Sequence, residues 1–181
     1  MSEEKKLLGE NRREFLLQLL KESSEPIIGG ELAKLANVSR QVIVNDITLL
    51  KAKNEPIIAT SQGYLYLRQP KVADQYEKTI ACHHTPEQAE SELNLIVDHG
   101  VTVKDVKIEH PVYGDLTASI MVSNRREVKQ FVEKIQATKA IYLSNLTHGV
   151  HIHTIVAKSK QQLVDVEKAL NNAGFLMNLN E

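Results

Sequence analysis

Apolar positions in the first third of the chain recur with helical spacing and then change to strand-like alternation. Phe15, Leu16, Leu19 and Leu20 form a stripe that predicts an amphipathic helix over residues 11–20. Leu32, Ala33, Leu35 and Ala36 predict a second helix over 29–36, ended by the turn residues Asn37 and Val38. Ser39 then offers a hydroxyl to cap a third helix over 40–52, in which Ile43, Ile47 and Leu50 repeat at i, i+4 and i+7. Residues 57–59 and 64–67 alternate like strands around Thr60-Ser61-Gln62-Gly63, where glycine permits a tight turn. Three helices followed by a hairpin give the order of a winged helix-turn-helix module.

The third helix carries the candidate chemistry of this module. Its apolar stripe is core, so Arg40, Gln41, Val44, Asn45 and Thr48 point elsewhere. A helix that meets the major groove through its N-terminal residues needs short polar side chains and an arginine or amide there, because these pair with guanine and adenine edges. Ser39, Arg40, Gln41, Val44, Asn45 and Thr48 are therefore the candidate DNA-binding residues. Asp46 reads as a local ion-pair or packing residue. With Ser39-Arg40 opening the helix, Asn45-Asp46-Ile47 within it and Gly63-Tyr64 in the hairpin, the segment resembles the winged helix-turn-helix domain of the biotin repressor.

Gln69-Pro70 interrupts the alternation and predicts a linker over 68–74. Beyond it, strand-like and helix-like segments alternate at 79–83, 86–99, 101–109, 116–122, 125–137, 148–156, 160–173 and 175–179, with Gly100 and Gly174 at helix ends. The pattern predicts an α+β chain. A winged helix-turn-helix domain spans 1–70, and an α/β sandwich spans 75–181, one sheet with helices on a face. A mixed sheet is expected, since 101–122 reads as two strands joined by a short turn.

Composition narrows the function classes. At 181 residues the chain suits two small domains. Residues 1–72 hold 11 Lys+Arg against 9 Asp+Glu and the rest hold 11 against 14, a split of +2 and −3. Local rather than total charge must therefore meet phosphate, and Lys5, Lys6, Arg12, Arg13, Lys34, Arg40, Lys51, Lys53 and Arg68 are the basic candidates. The single Cys82 excludes an intramolecular disulfide framework and reads as a buried core residue. No apolar stretch has the length of a membrane span and no signal peptide is visible, so a cytoplasmic protein is expected.

Histidines mark the second half. His84 precedes Thr85-Pro86-Glu87-Gln88, a capping box that holds it at a helix entrance. In that helix the stripe Ala89, Leu93, Ile96, Val97 is flanked by Glu92 on one edge and Glu90 on the other, and periodicity leaves open which of them reaches inward. His151 and His153 are two apart in a strand and so share a face, a placement that can put two imidazoles on one ion. His110, in register with Val106 and Ile108, is expected on the apolar face beside the same cavity, with Tyr113 close by. There His110 would supply a hydrogen bond and Tyr113 a ring wall for a small ligand. His99, at a helix C-terminus, reads as a dipole-favoured cation.

Cys-His-His-Thr-Pro-Glu at 82–87, Glu-His-Pro-Val-Tyr-Gly at 109–114 and Thr-His-Gly-Val-His-Ile-His-Thr at 147–154 resemble the three-histidine domain of the niacin-responsive transcriptional repressor family. With the preceding helix-turn-helix, the resemblance covers nearly the whole chain. It implies a repressor of genes for NAD synthesis or niacin uptake, with nicotinic acid as co-repressor. It also implies a divalent transition metal, nickel or zinc, bound by His84, Glu92, His151 and His153, and so selects Glu92 over Glu90 by likeness. His83 and His148 are left as supporting or structural residues. The expected partners are double-stranded operator DNA, nicotinic acid and a second copy of the chain, because helix-turn-helix dimers read paired half-sites. Two rivals use the same side chains: a regulator for which the metal is itself the signal, and a metal-dependent hydrolase. No motif places a separate general base for the latter, and a non-enzymatic regulator is expected.

Overall fold

The computed structural model describes residues 9–67 and 75–177. Lys5, Lys6, Arg68, the linker expected at 68–74 and the end of the segment expected at 175–179 lie outside the described residues. The chain divides into two compact units, 1–70 and 71–181.

In the first unit, helices α1 (Gly9–Glu22), α2 (Gly29–Leu35) and α3 (Arg40–Ala52) precede an antiparallel hairpin of β1 (Ile57–Thr60) and β2 (Gly63–Tyr66). The predicted stripes meet in one core of Leu16, Leu20, Leu32, Ala33, Ala36, Ile43, Ile47, Leu50 and Ile57. Leu35, counted in the α2 stripe, is instead exposed. Ser39 caps α3 by accepting the Val42 amide. Gly63 is needed for a reason the turn pattern does not reveal. Its φ is +136°, and a Cβ there would lie 2.5 Å from the Ile27 carbonyl oxygen, so it lets the 27–28 segment pair with Tyr64.

The second unit is a four-stranded sheet with helices on one face. Its strands are β3 (Tyr76–His83), β4 (Thr102–His110), β5 (Gly114–Ala118) and β6 (Val150–Ala157), in the order β3-β6-β4-β5. The helices are α4 (Ala89–Asp98), α5 (Arg125–Thr138) and α6 (Lys160–Asn172). Helix α4 packs on β4, α6 packs on β3 and β6, and α5 packs against α4. The core joins Ile80, Cys82, Leu93, Ile96, Val103, Val106, Ile155, Val166 and Leu170 among others.

The sheet, expected to be mixed, is instead antiparallel at every described pairing. The crossover through α4 does bring β4 back in the direction of β3. β6 inserts between the two, antiparallel to each, so no parallel neighbours result. The stretch expected as a strand over 116–122 ends at Ala118 and leaves only a bridge from Val122 to Val103. His148, expected to open a strand, instead ends a 3-10 turn (Leu143–Thr147) in the left-handed conformation. Beyond α6, the described part of 175–179 forms a single bridge between Leu176 and Cys82.

Candidate metal centre and nucleic-acid interface

Three elements bring four side chains together at one end of the sheet. Thr85 and Gln88 form the predicted capping box around a 3-10 turn (Pro86–Gln88) that runs into α4, and this fixes His84 just before the helix. One turn into α4, Glu92 faces inward at 1 % exposure while Glu90 faces solvent. β6 supplies His151 and His153 from its helix-covered face, both buried.

All three rings are held in one orientation. The Nδ1–H of His84 donates to the Thr85 carbonyl, that of His151 to Gly149 and that of His153 to Asp105, each at 2.8 Å. A carbonyl only accepts, so the ring proton is on Nδ1 and the Nε2 lone pair faces inward. The three Nε2 atoms converge on Glu92 Oε2 at 2.7 Å for His84, 3.4 Å for His151 and 3.2 Å for His153. Glu92 Oε1 is buried with no hydrogen-bond partner among the described residues.

Lone pairs and a carboxylate repel one another unless positive charge lies among them. Without a metal that charge is a proton. Burial opposes a charged ring at His84 and His153, yet the Glu92 carboxylate outweighs it and raises both above the ordinary histidine value. Burial likewise opposes ionisation of Glu92, but the charge of His153 and the hydrogen bonding that a protonated ring supplies within the cluster hold it well below the ordinary carboxylate value. Inward Nε2 lone pairs, an ionised carboxylate and an orphaned oxygen make a donor set that fits a divalent transition ion.

Cys82, read from the sequence as a core residue, is buried and also borders this site. A thiol sulfur, a Glu92 oxygen and a His151 ring nitrogen lie within 4.8 Å of one another. Burial, followed by the nearby Glu92 charge, pushes the thiol's pKa up. The signal for this proximity is the register Cys82↔His151, which exists only once β3 and β6 are paired.

A cavity opens beside the four residues, walled by Phe131, Tyr142, Leu143 and Ser144 as well as Val106 and Ile120. Phe131 and Tyr142 meet edge to face at 6.2 Å. Sequence reasoning missed these aromatic walls, because α5 and the 3-10 turn have no spacing relation to the histidines. His110 and Tyr113, expected here, are not brought to the cavity. His110 lies four residues past Val106, roughly 13 Å along β4, where its Nδ1 accepts the Val112 and Tyr113 amides. Tyr113 is 74 % exposed. His83 and His148 are exposed outside the cluster, and the ring of His99 donates to the Leu95 carbonyl.

In the first unit, Arg40, Gln41, Asn45 and Thr48 are exposed along one face of α3, with Val44 half-buried between them and Ser39 at the start. Gln41 donates to Asn45 Oδ1 at 3.2 Å and Thr48 to the Val44 carbonyl along this face. Arg12 and Arg13, counted among the basic candidates, are instead turned onto buried Asp46, with Arg12 Nε 2.5 Å from its carboxylate. No described helix is long and apolar enough to cross a membrane.

Comparison with known proteins follows the same division. A family model for the HTH domain matches residues 12–65, and one for the 3H domain matches residues 77–179. The chain is 61 % identical over 178 residues to the "Transcription repressor NadR" of Bacillus subtilis, covering 98 % of this chain and 99 % of that protein. It is 36 % identical over 172 residues to the "Probable transcription repressor NiaR" of Thermotoga maritima, covering 95 % and 97 %. An uncharacterized protein of Methanothermus fervidus is 27 % identical over 112 residues, 58 % of this chain and 18 % of that one. Both full-length relatives are named as regulators and not as enzymes. With both units matched and these relatives aligned nearly end to end, the chain belongs to the family of transcription repressors that join an N-terminal HTH domain to a C-terminal 3H domain.

Proposed function

We propose that this chain is a cytoplasmic DNA-binding repressor of genes for NAD synthesis or niacin uptake, with nicotinic acid as its co-repressor. The DNA-binding part is 1–70 and the effector part 75–181. In the effector part His84, Glu92, His151 and His153 would hold a divalent transition ion, nickel or zinc. The observation that carries this reading is the convergence of three inward Nε2 atoms on one buried carboxylate. The names of the full-length relatives support the regulatory half of it.

An ion held by His84, Glu92, His151 and His153, with one anionic ligand among them, would retain net positive charge and could attract the carboxylate or ring nitrogen of nicotinate. This chain's own residues do the rest. Phe131 and Tyr142 line the cavity and would flank a pyridine ring, a task expected from Tyr113, while Val106, Ile120 and Leu143 would give that ring apolar walls. Ser39, Arg40, Gln41, Val44, Asn45 and Thr48 would meet the major groove. A homodimer would place two such helices on half-sites one helical turn apart, roughly 34 Å.

Thermal unfolding at fixed metal concentration tests the effector. The expected result is that nicotinate raises the unfolding temperature of the metal-loaded protein, leaves the chelated protein unchanged, and tightens operator binding in a mobility-shift assay. Operator binding that responds to metal alone would assign the signal to the ion. No response to either would overturn the proposal.

A further inference from the structure

We infer that Asp105 is a positioning residue for the metal centre, acting from the opposite face of the sheet; this rests on the metal-binding reading above. The β4–β6 ladder carries a register shift between Val103 and Asp105, so Lys104 and Asp105 together stand opposite Thr154. Immediately past this bulge, Asp105 makes two contacts of different kinds. Its backbone carbonyl accepts the Nδ1–H of His153 at 2.8 Å, which fixes the ring's tautomer and turns Nε2 toward Glu92. Its side-chain Oδ1 accepts the Thr154 amide at 3.2 Å.

Those contacts lock both ends of one short path. Thr154 follows His153 directly, so the carboxylate holds the backbone of β6 at the residue beside the ring that the carbonyl orients. Lys107 completes the arrangement, its ammonium donating to Thr154 Oγ1 at 2.8 Å and standing 3.6 Å from Asp105 Oδ2. Asp105 and Thr154 are both buried, and the lysine supplies the charge that a buried carboxylate needs. His84 and His151 are oriented by the carbonyls of Thr85 and Gly149, neither of which brings a charged side chain to the task. His153 alone among the three has its orienting carbonyl on a residue whose own charged side chain also holds β6, at the adjacent Thr154 amide. A partner that sets a ligating ring's orientation is worth about 10- to 100-fold in metal affinity.

Cobalt(II) binding to the full-length protein, measured by chelator competition and by the visible ligand-field spectrum, tests this with Asp105→Ala, Asp105→Asn and His153→Ala. The asparagine variant keeps an oxygen for the Thr154 amide and loses only a partly exposed ion pair, so it should bind within about fivefold of wild type. The alanine variant should lose about 10- to 100-fold and show an altered spectrum. Equal affinity and an unchanged spectrum in Asp105→Ala, with binding lost in His153→Ala, would overturn the positioning role and leave the metal centre standing. Wild-type binding no tighter than that of His153→Ala would overturn the metal centre and the inference with it. Should Asp105→Ala fail to fold, the zinc-loaded wild type decides: the His153 Nδ1 proton must exchange slowly by nuclear magnetic resonance, and exchange as fast as in an exposed imidazole would overturn the role.

Discussion

Glu92 and Gly149 are the two residues on which the histidine cluster depends most directly. Glu92 is buried at 1 % exposure against three Nε2 atoms, while Glu90 lies in solvent on the same helix. Glu92→Gln removes the buried charge of the proposed ligand and should weaken metal binding by on the order of 100-fold or more. Glu90→Gln removes an exposed one and should stay within about fivefold. Metal titration of both variants in one buffer checks this, and a larger loss at Glu90 would show that the carboxylate had been assigned to the wrong edge of α4. Gly149 has φ +93°, and a Cβ on it would lie 2.3 Å from the His84 carbonyl oxygen. Its own carbonyl accepts both the His151 ring and the His84 amide, the latter at 3.4 Å. Gly149→Ala should therefore push the two proposed ligands His84 and His151 apart, at about 1–3 kcal/mol of backbone strain and about 10- to 100-fold in metal affinity. Circular dichroism separates this displacement from unfolding.

At the scale of elements, α3 divides its labour between two faces. Arg40→Ala, on the exposed face, should weaken operator binding about 5- to 150-fold, the equivalent of roughly 1–3 kcal/mol for one base contact, with nicotinate binding unchanged. Ile47→Ala, on the buried face, should instead destabilise the first unit by about 2–5 kcal/mol. Mobility shifts and thermal unfolding distinguish the two, and unchanged operator affinity in Arg40→Ala would remove it from the readout. This division was legible in the sequence because Ile43, Ile47 and Leu50 leave only one face of α3 for other work. The capping box at Thr85 was legible for the same reason: its four residues signal locally. Strand neighbours were not. The insertion of β6 between β3 and β4 is a choice made by residues some seventy positions apart, and no periodicity encodes it. That choice placed Cys82 opposite His151 and left His110 at the far end of β4. Glu92 lay between these cases, since spacing narrowed the inward carboxylate to two candidates and tertiary packing decided between them.

Across the whole molecule, the proposed function requires two things of the second unit: that it change its own state on binding, and that it report this to the DNA-binding unit. Metal-free, its state depends on pH with a definite sign. Burial opposes charge on His84 and His153 and the Glu92 carboxylate outweighs it, so both rings rise above their ordinary value of 6.5. Their contribution is complete below that value and is lost as pH rises through the folded one. Glu92, lowered from 4.5, contributes above that value and loses its contribution as pH falls. The chelated protein should thus be most stable in mildly acidic buffer and lose stability as pH rises above 6.5. Metal loading should reverse that limb, because the ion needs the deprotonated rings. Thermal unfolding on both sides of 6.5, with and without chelator, checks both signs, and a chelated protein that gains stability as pH rises above 6.5 would contradict the coupling.

Reporting requires that nicotinate and operator DNA favour the same state. A coupling of about 1–3 kcal/mol corresponds to about 5- to 150-fold in affinity, and by linkage DNA must tighten nicotinate by the same factor. His151→Ala and His153→Ala each remove a ring from the cluster and change no residue of the proposed DNA-binding part. Both variants should therefore bind little metal and lose the nicotinate response, while their operator affinity without nicotinate stays near that of the wild type. Elemental analysis and mobility shifts with and without nicotinate, at one fixed salt concentration, measure the three quantities together. Full metal content in both variants would remove the β6 histidines from the centre. Metal loss with an intact nicotinate response would detach the co-repressor from the metal. A fall in basal operator affinity equal to the lost response would show that the two units fold as one cooperative body, and the division of labour proposed for them would fail.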